Sequence, residues 1–159
     1  LFRSGYLTGS YVRDKDGVDG AYMICEMFSY YATRGISLLD KLDELYKTYG
    51  YCLNTLHSYE FDGSAGFARM QSIMQAFRGG IKEFGGKKVV RLLDYVQGLD
   101  GLPKSDVLKF LLEDNCSLVV RPSGTEPKLK IYISVSAENK EMAEEVEDEI
   151  AKTAEKWIC

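Results

Sequence analysis

The stretch Ser117-Leu118-Val119-Val120-Arg121-Pro122-Ser123-Gly124-Thr125-Glu126-Pro127-Lys128-Leu129-Lys130-Ile131-Tyr132-Ile133-Ser134-Val135 decides the fold. An apolar run stops at a polar segment and resumes as alternating Leu129, Ile131, Ile133 and Val135, which predicts strand, loop, strand. Pro122 and Pro127 restrict the backbone on either side of Ser123-Gly124-Thr125, and Gly124 allows close backbone approach to a ligand. Arg121 offers a planar fork of donors suited to phosphate or carboxylate oxygens. The hydroxyls of Ser123 and Thr125, with inward-turned amide N–H groups, would complete an anion-binding concavity. The competing reading is a β-hairpin in which Pro and Gly only make the turn. A Walker-type loop is excluded, because no Gly-Lys-Ser/Thr follows a glycine-rich run.

Working outward, Lys88–Val96 and Val107–Leu112 are strand candidates joined by Gly98-Leu99-Asp100-Gly101-Leu102-Pro103; the second also suits a short helix. Asp114-Asn115 turns the chain into the motif strand. Tyr51–Phe61 alternates as a strand and carries the sole histidine, His57, read as structural. Phe67, Met70, Ile73, Met74 and Phe77 mark a helix stopped by Gly79-Gly80. Met142, Val146, Ile150, Ala154 and Trp157 place an apolar stripe on a Glu-rich C-terminal helix whose acidic run reads as a solvated face. Together these predict an α+β domain, an antiparallel sheet of about four strands with helices on one face.

Nearer the start, Val18–Thr33 is apolar on nearly every side, as in a helix enclosed by a larger body. Gly35 ends it, and Ser37 with Asp40 starts an amphipathic helix through Tyr49 that ends at Gly50.

The chain has 159 residues and a net charge of −4, with 20 basic against 24 acidic residues. That balance, with Lys and Arg scattered, argues against a nucleic-acid footprint. No apolar run approaches the roughly 20 residues needed to cross a bilayer, and the first residues lack a signal-peptide pattern. Cys25, Cys52, Cys116 and Cys159 have no zinc or redox spacing. They read as free thiols, which predicts a cytoplasmic protein.

The run Arg121-Pro122-Ser123-Gly124-Thr125-Glu126-Pro127-Lys128, followed by an alternating strand, resembles the phosphate-binding loop in the last domain of the α-D-phosphohexomutases, the phosphoglucomutase and phosphomannomutase family. Gly5-Tyr6-Leu7-Thr8-Gly9 and Arg13-Asp14-Lys15-Asp16-Gly17 resemble the segment that follows the family's sugar-recognition loop. The resemblance implies three parts: 1–36, the C-terminal remnant of the sugar-binding third domain; 37–50, a helical linker; and 51–159, the C-terminal phosphate-binding domain. It implies substrate phosphate binding by Arg121, Ser123, Gly124 and Thr125, with Lys128 and Lys130 adding positive potential. Lys15 is an implied substrate contact, with a solvated Lys in a charged turn as the alternative. Leu1-Phe2-Arg3-Ser4 departs from the family, whose relatives place a glutamate and a serine there for the sugar hydroxyls.

Membership implies interconversion of hexose 1-phosphate and hexose 6-phosphate, glucose favoured and mannose the other candidate. The family uses a phosphoserine and a Mg²⁺ held by an aspartate-rich loop, and neither motif occurs in this chain. No catalytic residue and no metal ligand are therefore expected here, and no bound cofactor. Mg²⁺ and glucose 1,6-bisphosphate are expected for the full-length enzyme, and the N-terminal domains of the same enzyme are expected partners. The alternative function is a free-standing phosphate-binding or interaction module.

Overall fold

The computed structural model describes Thr8, Gly9 and residues 16–158. The chain divides into two compact units, Leu1–Tyr49 and Gly50–Cys159.

The first unit holds α1 (Gly17–Ala32) and α2 (Leu38–Tyr49). Asp16 caps α1 by accepting from the backbone N–H of Val18 at 2.8 Å and of Asp19 at 3.3 Å. Only Gly20 of α1 is buried, while Val18, Tyr22 and Phe28 are 80%, 66% and 59% exposed. Before α2, Ser37 and Asp40 satisfy each other's backbone: the Asp40 N–H donates to Ser37 Oγ at 3.0 Å and the Ser37 N–H to Asp40 Oδ2 at 3.2 Å. This reciprocal box is what the Ser37 and Asp40 spacing predicts. The Ser37 hydroxyl, followed by its N–H, holds the Asp40 carboxyl below its ordinary pKa.

The second unit contains β1 (Tyr51–Glu60), α3 (Gly63–Arg78), β2 (Glu83–Phe84), β3 (Lys87–Asp94), β4 (Leu108–Leu112), β5 (Ser117–Pro122), β6 (Lys128–Ala137) and α4 (Lys140–Glu155). The sheet has six strands, not about four, in the order β1-β6-β5-β4-β3-β2. Every adjoining pair is antiparallel. Two-residue β2 is too short to show alternation in sequence, yet its Phe84 is fully buried and meets Phe110 edge-on at 5.1 Å between centroids. The helix reading of 107–112 is excluded, since β4 pairs on both sides. That pairing alternates Leu108, Phe110 and Leu112 into the core.

The core lies on one face. Leu118 and Val120 of β5 and Leu129, Ile131, Ile133 and Val135 of β6 join Met70, Ile73, Met74 and Phe77 of α3 and Ala143, Ile150, Ala151 and Ala154 of α4. Of the expected α4 stripe, Ile150 and Ala154 are buried and Val146 packs against the core, whereas Met142 is 44% exposed and Trp157, just past the helix, is 43% exposed; Ala143, Ala151 and Ile158 join the buried set instead. Glu147 leaves the solvated face too, accepting from Thr55 Oγ1 at 2.6 Å and lying 2.7 Å from His57 Nε2. His57 thus ties β1 to α4, a structural role.

Candidate phosphate-binding site

The β5–β6 hairpin presents the motif. Arg121 pairs with Lys130 and Pro122 with Leu129 across the two strands. The loop is closed by the Ser123 N–H donating to the Lys128 carbonyl at 2.7 Å, and it is tied to β1 by the Phe61 N–H donating to the Pro127 carbonyl at 2.9 Å. The motif loop is therefore braced at its base and open at its tip.

A cleft of about 360 Å³ opens beside it. Phe67, Met70 and Gln71 of α3 form one wall, Ser105 and Asp106 before β4 another, and Arg121, Pro122, Ser123 and Gly124 the third. Three of the four motif residues expected from sequence thus share one concavity; Thr125, exposed in the same loop, is not among its lining. Lys15 lies outside the described residues.

Arg121 is exposed, and no ion pair or hydrogen bond engages its side chain among the described residues. Opposite it in register stands a second cation, Lys130. Like charges facing across strands are unfavourable by a few tenths of a kcal/mol or more, and together they concentrate positive potential at the loop's base. Lys128 contributes less than expected, because its Nζ lies 2.6 Å from Glu60 Oε1 and 3.8 Å from Glu126 Oε2. The hydrogen bond from Lys128 holds the Glu60 carboxyl below its ordinary pKa.

Gly124 is free of packing demands. A Cβ there would meet nothing within 4 Å, and its φ is not positive.

The cleft's polar far wall was not foreseen from sequence. Arg78, the last residue of α3, donates from Nε to Asp94 Oδ2 at 2.8 Å and from Nη2 to Asp106 Oδ1 at 2.5 Å. The hydrogen bond to Asp94 raises the Arg78 pKa above its ordinary value against the opposing effect of burial, and Asp106 adds to the rise. Burial alone would push the Asp94 carboxyl up, but hydrogen bonds from Arg78 and from the Val96 N–H at 3.0 Å leave it below its ordinary value. The local signal was Pro103-Lys104-Ser105-Asp106 before an apolar strand. Only the tertiary fold brings it beside Arg121.

Residues 61–153 match the profile of the phosphoglucomutase/phosphomannomutase C-terminal domain. This chain belongs to the phosphoglucomutase/phosphomannomutase family. It is 37% identical over 147 residues to a phosphoglucomutase of Staphylococcus aureus strain MSSA476, an alignment covering 85% of this chain and 26% of the relative. A phosphoglucomutase of Staphylococcus saprophyticus is 31% identical over the same length, with the same coverage. The chain therefore spans about a quarter of the length of the curated relatives it matches. Its fold is similar to that of pp63/parafusin, a phosphoglucomutase from Paramecium in its open form, with a TM-score of 0.54 and 19% identity over 93% of this chain and 27% of that one.

Among the described residues no three His, Cys, Asp or Glu side chains stand together in a way that could hold a metal ion. No helix among them is long and apolar enough to cross a membrane. Cys25 and Cys52 are exposed free thiols and Cys116 is a buried one.

Proposed function

We propose that this chain supplies the phosphate clamp of a phosphohexomutase that interconverts hexose 1-phosphate and hexose 6-phosphate, glucose favoured and mannose the other candidate. The carrying observation is the cleft that Arg121, Ser123 and Gly124 share, where the exposed Arg121 has no ion-pair partner among the described residues. A phosphate there would accept charge-assisted hydrogen bonds from Arg121, a hydroxyl bond from Ser123 and a backbone N–H bond from Gly124, with Thr125 closing from the loop tip. Such a grip on the phosphate that does not react orients the sugar, and orientation can lower a barrier by several kcal/mol when the reacting groups are in place.

The reacting groups belong, on this reading, to the rest of a longer cytoplasmic enzyme that uses Mg²⁺ and glucose 1,6-bisphosphate. Support comes from the length of the relatives and from α1, whose exposed Val18, Tyr22 and Phe28 suit packing against further protein. Titrating glucose 6-phosphate and mannose 6-phosphate into labelled protein, and following the amides of Ser123, Gly124 and Thr125, tests the assignment. Saturable shifts at these amides are expected. Their absence at tens of millimolar ligand would leave the hairpin reading standing.

A further inference from the structure

The cleft holds a contradiction for an anion site: Asp106 lines it together with Arg121. It is the one carboxylate among the described lining residues. A carboxylate about 8–10 Å from a phosphate dianion would weaken binding by roughly threefold to tenfold at an intermediate effective dielectric and moderate salt. Arg78 meets that carboxylate at 2.5 Å while gripping Asp94 at 2.8 Å, and its side chain is only 17% exposed. Asp94 ends β3 and Arg78 ends α3, so the guanidinium is anchored from two elements. An arginine held this way cannot swing out to bind phosphate itself; it stays as a fixed counter-charge behind Asp106.

We propose that Arg78 is a positioning residue for the clamp: held by Asp94, it neutralises Asp106 and fixes it against the cleft wall, so that the space beside Arg121 accepts a phosphate dianion. This rests on the phosphate reading of the cleft. The arrangement also makes Asp94 part of the device, because it orients the Arg78 fork toward Asp106.

The test uses the full 159-residue chain and inorganic phosphate at low ionic strength, with Kd and Tm measured in parallel. Arg78→Gln should weaken phosphate binding by about threefold to tenfold. The double variant Arg78→Gln with Asp106→Asn should return to within about twofold of the parent affinity while its Tm stays lowered, a separation that a merely structural role would not produce. Parent-like affinity in Arg78→Gln, or a double variant as weak as Arg78→Gln, overturns the proposal. If Arg78→Gln does not fold, Asp106→Asn alone decides: with Arg78 still held by Asp94 it should bind phosphate about twofold to threefold tighter, and equal or weaker binding overturns the proposal. Arg121→Ala separates the two levels. Phosphate binding that depends on Arg121 but ignores Arg78 and Asp106 sinks only this inference, whereas a parent chain that binds no phosphate, or binds it independently of Arg121, sinks the clamp with it.

Discussion

A methyl group at Gly124 would meet no protein atom within 4 Å, and the backbone there is not left-handed. Neither packing nor conformation asks for glycine at that position, so Gly124→Ala should leave stability within about 0.5 kcal/mol of the parent. On the clamp reading the same methyl stands between the backbone N–H and a phosphate oxygen and should weaken binding by roughly fivefold, about 1 kcal/mol. Thermal melts and a phosphate titration read the two effects separately. Gly50 is the contrast: its φ of +86° and the Ala137 carbonyl 3.3 Å from a built Cβ make it a requirement of the fold. Arg121, Ser123 and Gly124 were legible as a group because they are neighbours in the chain. Asp106 and Arg78 were not, because they stand 28 positions apart and meet only when α3 packs beside β4.

Among the elements, α4 and β4 show where periodicity reaches and where it stops. The spacing of apolar residues predicts α4 as a helix and puts Val146, Ile150 and Ala154 against the core, but it also includes Met142 and Trp157, which are exposed, and misses Ala143 and Ala151. Glu147, read as part of the solvated face, instead reaches Thr55 and His57 of β1. In β4 the apolar run suits helix or strand alone, and pairing with β3 and β5 decides it. The ion-paired end of β3 makes a pH prediction. The Asp94 pKa is depressed in the folded state, so the stability it contributes is present above the ordinary carboxylate pKa, near 4, and is lost as pH falls through the depressed value. Asp94→Asn should therefore cost about 1 kcal/mol at pH 7, and the difference from the parent should shrink toward pH 3. Urea midpoints at the two pH values check it; a penalty that grows at acid pH would contradict the sign.

At the scale of the molecule, the sheet unit from Gly50 onward owns the buried core, while α1 buries Gly20 alone and α2 buries none of its residues. Limited proteolysis should accordingly clip within the first fifty residues and leave a resistant product beginning near Gly50. Equal resistance of the N-terminal segment in monomeric protein would contradict this. The sheet order was open to sequence reasoning only in part: the β5–β6 hairpin is local, but β1 pairs with β6 across most of the unit and no pattern in Tyr51–Glu60 announces its partner. On the clamp reading the reacting groups lie in the rest of a longer enzyme, so the chain alone should show no mutase turnover in a coupled assay with Mg²⁺ and glucose 1,6-bisphosphate, and turnover above a mock purification would contradict that reading.

The clamp itself is tested most directly by one comparison, the phosphate affinity and Tm of the parent chain against Arg121→Ala. A charge-assisted hydrogen bond is worth about 1.5–3 kcal/mol, so the variant should bind inorganic phosphate roughly tenfold to a hundredfold more weakly. Its Tm should stay close to that of the parent, because the exposed Arg121 side chain has no partner among the described residues to lose. Unchanged affinity, or a Tm that falls while affinity holds, would contradict the clamp and leave Arg121 as a structural residue of the hairpin.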